Sequence, residues 1–258
     1  MNAERTALSK VPEVTVYFWI IKVMTTAMGE TTSDFFIHRV GVSNTLALAA
    51  IALITGVVLA VSLAFQFAAS RYVAWTYWLV VVMVGIFGTM AADGVHIKFG
   101  VPYVVSSAFF TVALAGIFVA WYASEKTLSI HSIYTRRREA FYWAVVMAAF
   151  TLGTAVGDMT AITLHLGYLA SGLMFTVLIA IPALSYWRFH LNAVFAFWFA
   201  YIVTRPLGAS FADWLAVSPG RGGLGLGFGL VSLGLGIVIA GFVAFLSVTH
   251  KDVRDQSP

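Results

Sequence analysis

The chain has 258 residues, of which 60% are hydrophobic and only 10% are charged, and its mean hydropathy is +0.91. This composition excludes an ordinary soluble globular domain and is typical of membrane proteins. The formal net charge is +4 and there is no cysteine, which excludes disulfides, iron–sulfur clusters and thiolate metal sites.

Eight apolar runs follow one another along the chain, each about long enough to cross a bilayer core that takes roughly 20 helical residues. They begin near Val14, Thr45, Tyr77, Val104, Phe141, Leu169, Leu191 and Leu224. The run 46–67 is apolar on every face, whereas a β-barrel strand alternates polar and apolar residues. The sequence therefore predicts an all-α integral membrane protein with eight transmembrane helices.

Basic residues are distributed unevenly over the predicted loops and tails. The two tails and the second, fourth and sixth loops hold ten, namely Arg5, Lys10, Arg71, Lys126, Arg136, Arg137, Arg138, Arg188, Lys251 and Arg254. The opposite side holds Arg39, Lys98 and Arg221. The positive-inside rule then predicts that both termini are cytoplasmic. The run 136–138 is interpreted as a topology determinant, so no nucleic-acid partner is expected.

Four of the eight tryptophans are followed by a glycine ten residues later and by an aspartate fifteen residues later. The four sets are Trp19, Gly29, Asp34; Trp78, Gly88, Asp93; Trp143, Gly153, Asp158; and Trp198, Gly208, Asp213. Their spacing indicates four tandem two-helix repeats, at about residues 12–70, 71–125, 136–187 and 188–250 of a single membrane domain. Because each repeat crosses the bilayer twice, all four have the same orientation. Two halves of four helices and a fourfold ring of hairpins both fit.

Several segments carry a resemblance to a known family. They are Lys10-Val-Pro-Glu-Val-Thr-Val-Tyr-Phe-Trp-Ile-Ile-Lys22, Gly29-Glu-Thr-Thr-Ser-Asp34, Gly157-Asp-Met-Thr and Leu166-Gly-Tyr168. With them the chain resembles a bacterial family of uncharacterised membrane-anchored proteins built from four copies of a two-helix repeat of unknown function. The resemblance covers nearly the whole chain and implies this architecture in the bacterial inner membrane, without an activity. Repeat four departs most, with Ala209 where the others have Glu or Thr, and with Arg205-Pro206.

The motif aspartates are the strongest functional signal, because an acidic side chain inside a membrane is costly. A helix rises about 1.5 Å per residue, which places each aspartate roughly 22 Å from its tryptophan. The tryptophans are therefore expected in the cytoplasmic interfacial belt and the aspartates toward the outer side. Residues on the same helical face form polar stripes, namely Glu30, Asp34 and His38; Thr89, Asp93 and His96; and Thr151, Thr154, Asp158 and His165.

Carboxylates, hydroxyls and imidazoles on one face are ligands for divalent cations and also the groups of a proton relay. The sequence thus favours a transporter or channel-like protein for a small cation. Its binding residues would be Asp34, Glu30, Asp93, Asp158 and Asp213 with Thr89, Thr151 and Thr154. Divalent metal ligands would come from Asp34, Glu30, Asp93, Asp158, His38, His96 and His165. No covalent cofactor is expected, and the lipid bilayer, the cation and a second copy of the chain are the expected partners.

Two other interpretations stay open. The motif glycine can be a packing residue and the aspartate a cap of its helix end, as in a membrane scaffold or sensor. An intramembrane enzyme with paired carboxylates is the third reading, although no catalytic residue is assigned and no nucleophile or cofactor motif supports it. Lys22 either snorkels to the headgroups or forms an inner gate. Arg205, the second gate candidate, is expected to neutralise Asp213 two turns along its helix, and Pro206 to kink that helix.

Overall fold

The computed structural model describes residues 9–189 and 191–253, and within them the chain is all-helical without a β-strand. Arg5 and Arg254, which contribute to the charge asymmetry, lie outside the described residues. The long helices are α1 Val16–Val40, α2 Thr45–Ala68, α3 Ala74–Asp93, α4 Tyr103–Glu125, α5 Arg136–Asp158, α6 Tyr168–Phe189, α7 Ala193–Ala216 and α8 Phe228–Thr249. The expected all-α membrane fold is confirmed.

Seven of these helices are long and apolar enough to cross a membrane, and the exception among the described helices is α1. Its 25 residues give it sufficient length, but it contains Lys22, Glu30, Asp34 and Arg39. Because α1 packs against α3, α7 and α8, neighbouring helices surround these charged positions. Its lower apolarity therefore reflects an interior position in the bundle.

The motif helices α1, α3, α5 and α7 form an inner ring, in which each packs on the next and α7 packs back on α1. In α3, α5 and α7, 56 to 67% of an apolar stretch of 18 residues is buried inside the protein. In α2, α4, α6 and α8 the corresponding share is 17 to 28%. The second helix of each repeat therefore lies on the outside of the ring. Of the two arrangements open from sequence, the structure adopts the fourfold ring.

The outer helices do not pair with the motif helix of their own repeat. Instead, α2 packs on α3, α4 on α5 and α6 on α7, and α8 closes the ring by packing on α1. The two helices of one repeat contact each other only slightly. The expectation of a ring of hairpins is wrong in this respect, because each outer helix buries its inner face against the following repeat.

The motif glycines lie where neighbouring inner helices approach most closely. A Cβ on Gly29 would lie 2.7 Å from the backbone carbonyl carbon of Gly85 in α3. A Cβ on Gly208 would collide with Thr26 in α1. The same holds around the ring, where Gly88 faces Phe150 of α5 and Gly153 faces Arg205 of α7. Small residues of this kind permit close helix packing in membranes.

The motif tryptophans pack inside one end of the bundle, called here the tryptophan end. Trp78, Trp143 and Trp198 are 2, 4 and 5% exposed, and Trp19 is partly buried. The expected place in a lipid-facing interfacial belt is thus wrong for the three buried rings. Each follows another aromatic residue, and the pairs interlock around the axis, for example Tyr77 with Trp143 at a ring-centroid distance of 5.5 Å. Large aromatic surfaces are stabilised by this mutual burial.

Polar contacts join the chain segments at the tryptophan end. Lys10 Nζ donates to Glu139 Oε2 at 2.7 Å, and Gln66 Nε2 donates to Glu139 Oε1 at 3.0 Å. Nearby, Tyr72 donates to Asp252 Oδ2 at 2.5 Å. Burial raises the pKa of Asp252 above its ordinary value, and the hydrogen bond from Tyr72 opposes that shift. These contacts connect the segment before α1, the start of α5 and the residues after α8.

Candidate functional site at the aspartate end

The repeat places equivalent residues at the same height on the four inner helices. Eleven residues after each motif tryptophan lie Glu30, Thr89, Thr154 and Ala209, all at most 3% exposed. One turn beyond them lie the motif aspartates, at what we call the aspartate end. The site is therefore built in layers across the bundle axis, and each inner helix contributes one residue to each layer.

Arg205 occupies the centre of this arrangement and is fully buried. Its Nη2 atom donates to Glu30 Oε2 at 2.6 Å, to Thr154 Oγ1 at 2.6 Å and to Thr89 Oγ1. Its Nη1 atom donates to the Thr26 carbonyl oxygen at 3.1 Å. One guanidinium from α7 thus contacts all three other inner helices.

The expected pairing of Arg205 with Asp213 is wrong. Eight helical residues separate their backbones by roughly 12 Å along α7, whereas Glu30 of the neighbouring helix α1 lies directly within reach. At the position of Ala209, where the other repeats carry Glu or Thr, a small side chain leaves the layer open to the guanidinium. The two strongest departures from the repeat, Glu30 in repeat one and Arg205 in repeat four, therefore form one buried ion pair.

The four motif aspartates converge at the aspartate end. Carboxylate oxygens of Glu30, Asp34 and Asp213 lie within 4.8 Å of one another. Asp93 accepts a hydrogen bond from Ser33 at 3.4 Å and interacts electrostatically with Asp34 and Asp158. Asp158 lies near enough to Asp34 and Glu30 for electrostatic interaction, with Tyr103 of α4 beside it. The four inner helices thus bring their acids to the same end of the bundle. We call these five residues the acid cluster: Glu30, Asp34, Asp93, Asp158 and Asp213. Within it, Glu30, Asp34 and Asp213 are the set close enough to share one ion.

Access to the acid cluster differs among its members. Asp34, Asp93 and Asp158 are partly exposed, whereas Asp213 is 7% exposed. Among the described residues, Asp213 Oδ1 has no hydrogen-bond partner. Three members of the cluster are therefore accessible at the aspartate end, whereas the buried Asp213 carries the unpaired oxygen.

Capping does not account for the aspartates of repeats two and three. Asp93 and Asp158 are the last residues of α3 and α5, and π-helical turns, Gly94–Lys98 and Met159–Thr163, follow them. Neither side chain makes a capping hydrogen bond. The helix continues through each π-helical segment, so neither acid lies at a free helix end, and such segments are frequent at functional sites. Helix stability alone is thus a poor explanation for these two acids.

The structure does not bring the candidate histidines into the carboxylate group. His38 contacts the Asp34 carbonyl oxygen at 2.9 Å and stacks on Phe228. His96 contacts the Val101 carbonyl oxygen at 2.8 Å and stacks on Tyr103, and His165 is exposed in a loop. Each lies outside the group of Glu30, Asp34 and Asp213, which is the set of close potential ligands among the described residues.

The candidate threonines have two different positions. Thr89 and Thr154 bind Arg205 on the axis, as described above. Thr151 donates to the Met147 carbonyl oxygen of its own helix and lies at the crossing of α5 with α3, close to Gly88. Its place is therefore in the helix interface.

Lys22 lies inside the bundle, so the interpretation that it snorkels to lipid headgroups is wrong. It is fully buried, and its Nζ atom lies 4.0 Å from the ring centre of Phe150 and 4.2 Å from that of Tyr201. Among the described residues it has no hydrogen-bond partner. The Lys22 Nζ atom thus contacts the faces of these two rings inside the bundle, as in a cation–π interaction, and not the lipid headgroups.

Sequence reasoning identified the acids but missed the central ion pair. The available signal was the repeat itself, because the positions of Glu30 and Arg205 carry uncharged residues in the other repeats. When one repeat has an acid and another has a base at positions that are uncharged in the remaining repeats, the two residues are candidates for a contact between those repeats. The roles of Ser33 and Tyr103 had no comparable signal.

Comparison with known proteins gives the same organisation. A family model described as "Repeat of Unknown Function (DUF347)" matches residues 17–72, 76–127, 141–191 and 196–252. Each match contains one inner and one outer helix, which confirms four tandem two-helix repeats. No curated protein and no solved structure matches the chain.

Proposed function

Because the chain belongs to the DUF347 repeat family, whose description gives no activity, we propose a function from the site itself. In this proposal, the protein binds a small cation at the acid cluster and transports it across the membrane. The acids bind the ion, and the inner helices move to expose it to the other side.

The convergence of the acids is the observation that carries this proposal. Oxygens of three carboxyl groups lie within 4.8 Å of one another, and those of Asp93 and Asp158 lie near enough to interact electrostatically with them. Arg205 is the one cation in hydrogen-bonding contact with the cluster among the described residues. Ionised carboxylates that share a low-dielectric site repel one another, and each is costly to bury. Protons or cations taken up from water relieve both costs. A cluster of this kind, reached from one end of a membrane bundle, suits an ion-binding step.

The residues below the cluster favour a carrier over an open pore. Arg205 and Lys22 lie next along the axis, and the aromatic residues of the tryptophan end follow. The buried guanidinium charge of Arg205 opposes the passage of a cation. Transport then requires a rearrangement in which Arg205 changes its contacts, consistent with its position among all four inner helices.

The scaffold interpretation explains only part of the motif. The glycines are accounted for by close helix approach and the tryptophans by aromatic packing. The aspartates cluster at a position where packing offers them few partners. A structural role for Trp and Gly is therefore compatible with an ion-binding role for Asp.

Cation flux into proteoliposomes tests the proposal. Asp158→Asn keeps the size of the side chain but removes one carboxyl group from the cluster. We expect it to abolish cation uptake, whereas Asp252→Asn, which alters a buried acid at the tryptophan end, leaves uptake intact. Uptake by the Asp158→Asn protein equal to wild type, at equal reconstituted amounts, would contradict transport through the cluster.

A further inference from the structure

We propose that Glu30, Asp34 and Asp213 bind one hard divalent cation, such as Mg²⁺ or Mn²⁺, and that Arg205 competes with this ion for Glu30. The inference rests on the proposed function in that it names the ion class and the competitor within the same cluster. Binding and transport are nevertheless separable by experiment.

The three carboxylates lie close enough together to converge on such an ion. One oxygen from each residue lies within 4.8 Å of the other two. Around an octahedral Mg²⁺, adjacent ligand oxygens are about 3 Å apart and opposite ones about 4.2 Å apart, so the three oxygens must move closer to bind one ion. The two helices that supply the ligands, α1 and α7, pack directly against each other. A small inward movement is thus sufficient to close the three oxygens around an ion.

An unsatisfied oxygen provides an independent argument for a ligand. Asp213 is more than nine-tenths buried, and its Oδ1 atom lacks a hydrogen-bond partner within the described part of the chain. Buried carboxylate oxygens normally accept hydrogen bonds, since an unpaired one is costly. The carboxyl groups of Asp34 and Asp213 are also close enough to share a proton or a bridging cation. A bound cation satisfies both residues at once.

Charge and ligand type select the class of ion. Three carboxylates that bind one ion supply up to three negative charges, which favours a divalent over a monovalent cation. All three ligands are oxygens, and the histidines lie elsewhere, which favours Mg²⁺, Mn²⁺ or Ca²⁺ over the nitrogen- and sulfur-binding ions.

The contacts of Arg205 allow Glu30 to change partner. Arg205 also donates to Thr89, Thr154 and the Thr26 carbonyl oxygen, so three neutral acceptors remain when Glu30 turns to an ion. The guanidinium therefore acts as a tethered cation that holds Glu30 while the site is free of metal. Ion binding then releases this contact between α1 and α7.

Isothermal titration calorimetry of the purified full-length protein in detergent with MnCl₂ and MgCl₂ tests the site. We expect one Mn²⁺ or Mg²⁺ per chain, and at least a tenfold loss of affinity in Asp213→Asn. Asp252→Asn is the matched control, since it removes another buried acid whose Oδ1 atom lacks a partner among the described residues, and it should bind like wild type. If Asp213→Asn aggregates, Asp34→Asn is judged by the same criterion.

The outcomes separate this inference from the proposed function. Unchanged Mn²⁺ affinity in both Asp213→Asn and Asp34→Asn would overturn the site. Binding that depends on Asp213 without flux in proteoliposomes would support the site and refute transport. Flux that depends on Asp158 without any divalent binding would refute the site and leave cation transport standing.

Discussion

Arg205 and Glu30 form a buried ion pair, and the other hydrogen-bond acceptors of Arg205 are all hydroxyl or carbonyl oxygens. Removal of one partner from such a pair leaves a buried charge without compensation, which costs more than removal of both. The pair thus stabilises the site only as a unit. Lys22, one turn below Thr26, depends instead on the faces of Phe150 and Tyr201.

We predict that Arg205→Gln lowers the free energy of unfolding by about 3–5 kcal/mol, because Glu30 is left as an unpaired buried carboxylate. The double variant Glu30→Gln with Arg205→Gln should recover part of this loss. Arg138→Gln, which removes a more exposed partner of Glu125, should cost at most about 1 kcal/mol. Thermal unfolding in detergent measures all three. A double variant that is less stable than Arg205→Gln would refute the coupling.

The helices themselves were largely predictable from hydropathy. The second run was expected from Thr45, where α2 begins, and the sixth from Leu169, one residue after the start of α6. The fifth apolar run begins at Phe141, whereas α5 begins at Arg136, where the third repeat is predicted to start, because the charged first turn of the helix precedes the apolar run. The π-turns after Asp93 and Asp158 were not predicted, because a local change of hydrogen-bond register leaves no mark in apolar periodicity.

Which helices pack together was beyond sequence reasoning. The outer helices are apolar on nearly every face, so their pattern does not identify the neighbour that they contact. Each outer helix packs on the motif helix of the following repeat because the inner helices close into a ring. The acids are predictable from the sequence because acidic residues are rare in this chain. Their position at one end of the bundle depends on the closure of the inner ring, which the sequence does not specify.

Closure of the ring by α8 on α1 can be tested by a disulfide, since the natural chain contains no cysteine. The hydroxyl oxygens of Thr32 in α1 and Ser232 in α8 lie 2.6 Å apart. We predict that Thr32→Cys with Ser232→Cys forms an internal disulfide on mild oxidation, because sulfur atoms at these positions approach bonding distance. The measurement is a shift in gel mobility that reducing agent reverses. Failure to cross-link, with both thiols accessible in the denatured protein, would contradict the ring.

As a whole, the molecule joins four similar repeats into a ring whose axis is not uniform. One end is filled by aromatic side chains and the other by carboxylates, and two cations lie between them. Glu30 occurs only in repeat one and Arg205 only in repeat four, so the site lacks fourfold symmetry and its ion pair lies between α1 and α7. The proposed ion binding uses that asymmetry.

The most direct measurement is the anomalous difference map of crystals of the full-length protein grown with MnCl₂. The account predicts one strong peak bounded by the carboxylates of Glu30, Asp34 and Asp213, with Glu30 turned away from Arg205. Absence of a peak at the aspartate end, with Mn²⁺ sites found only on exposed loops, would contradict the central claim that the converging acids bind a cation.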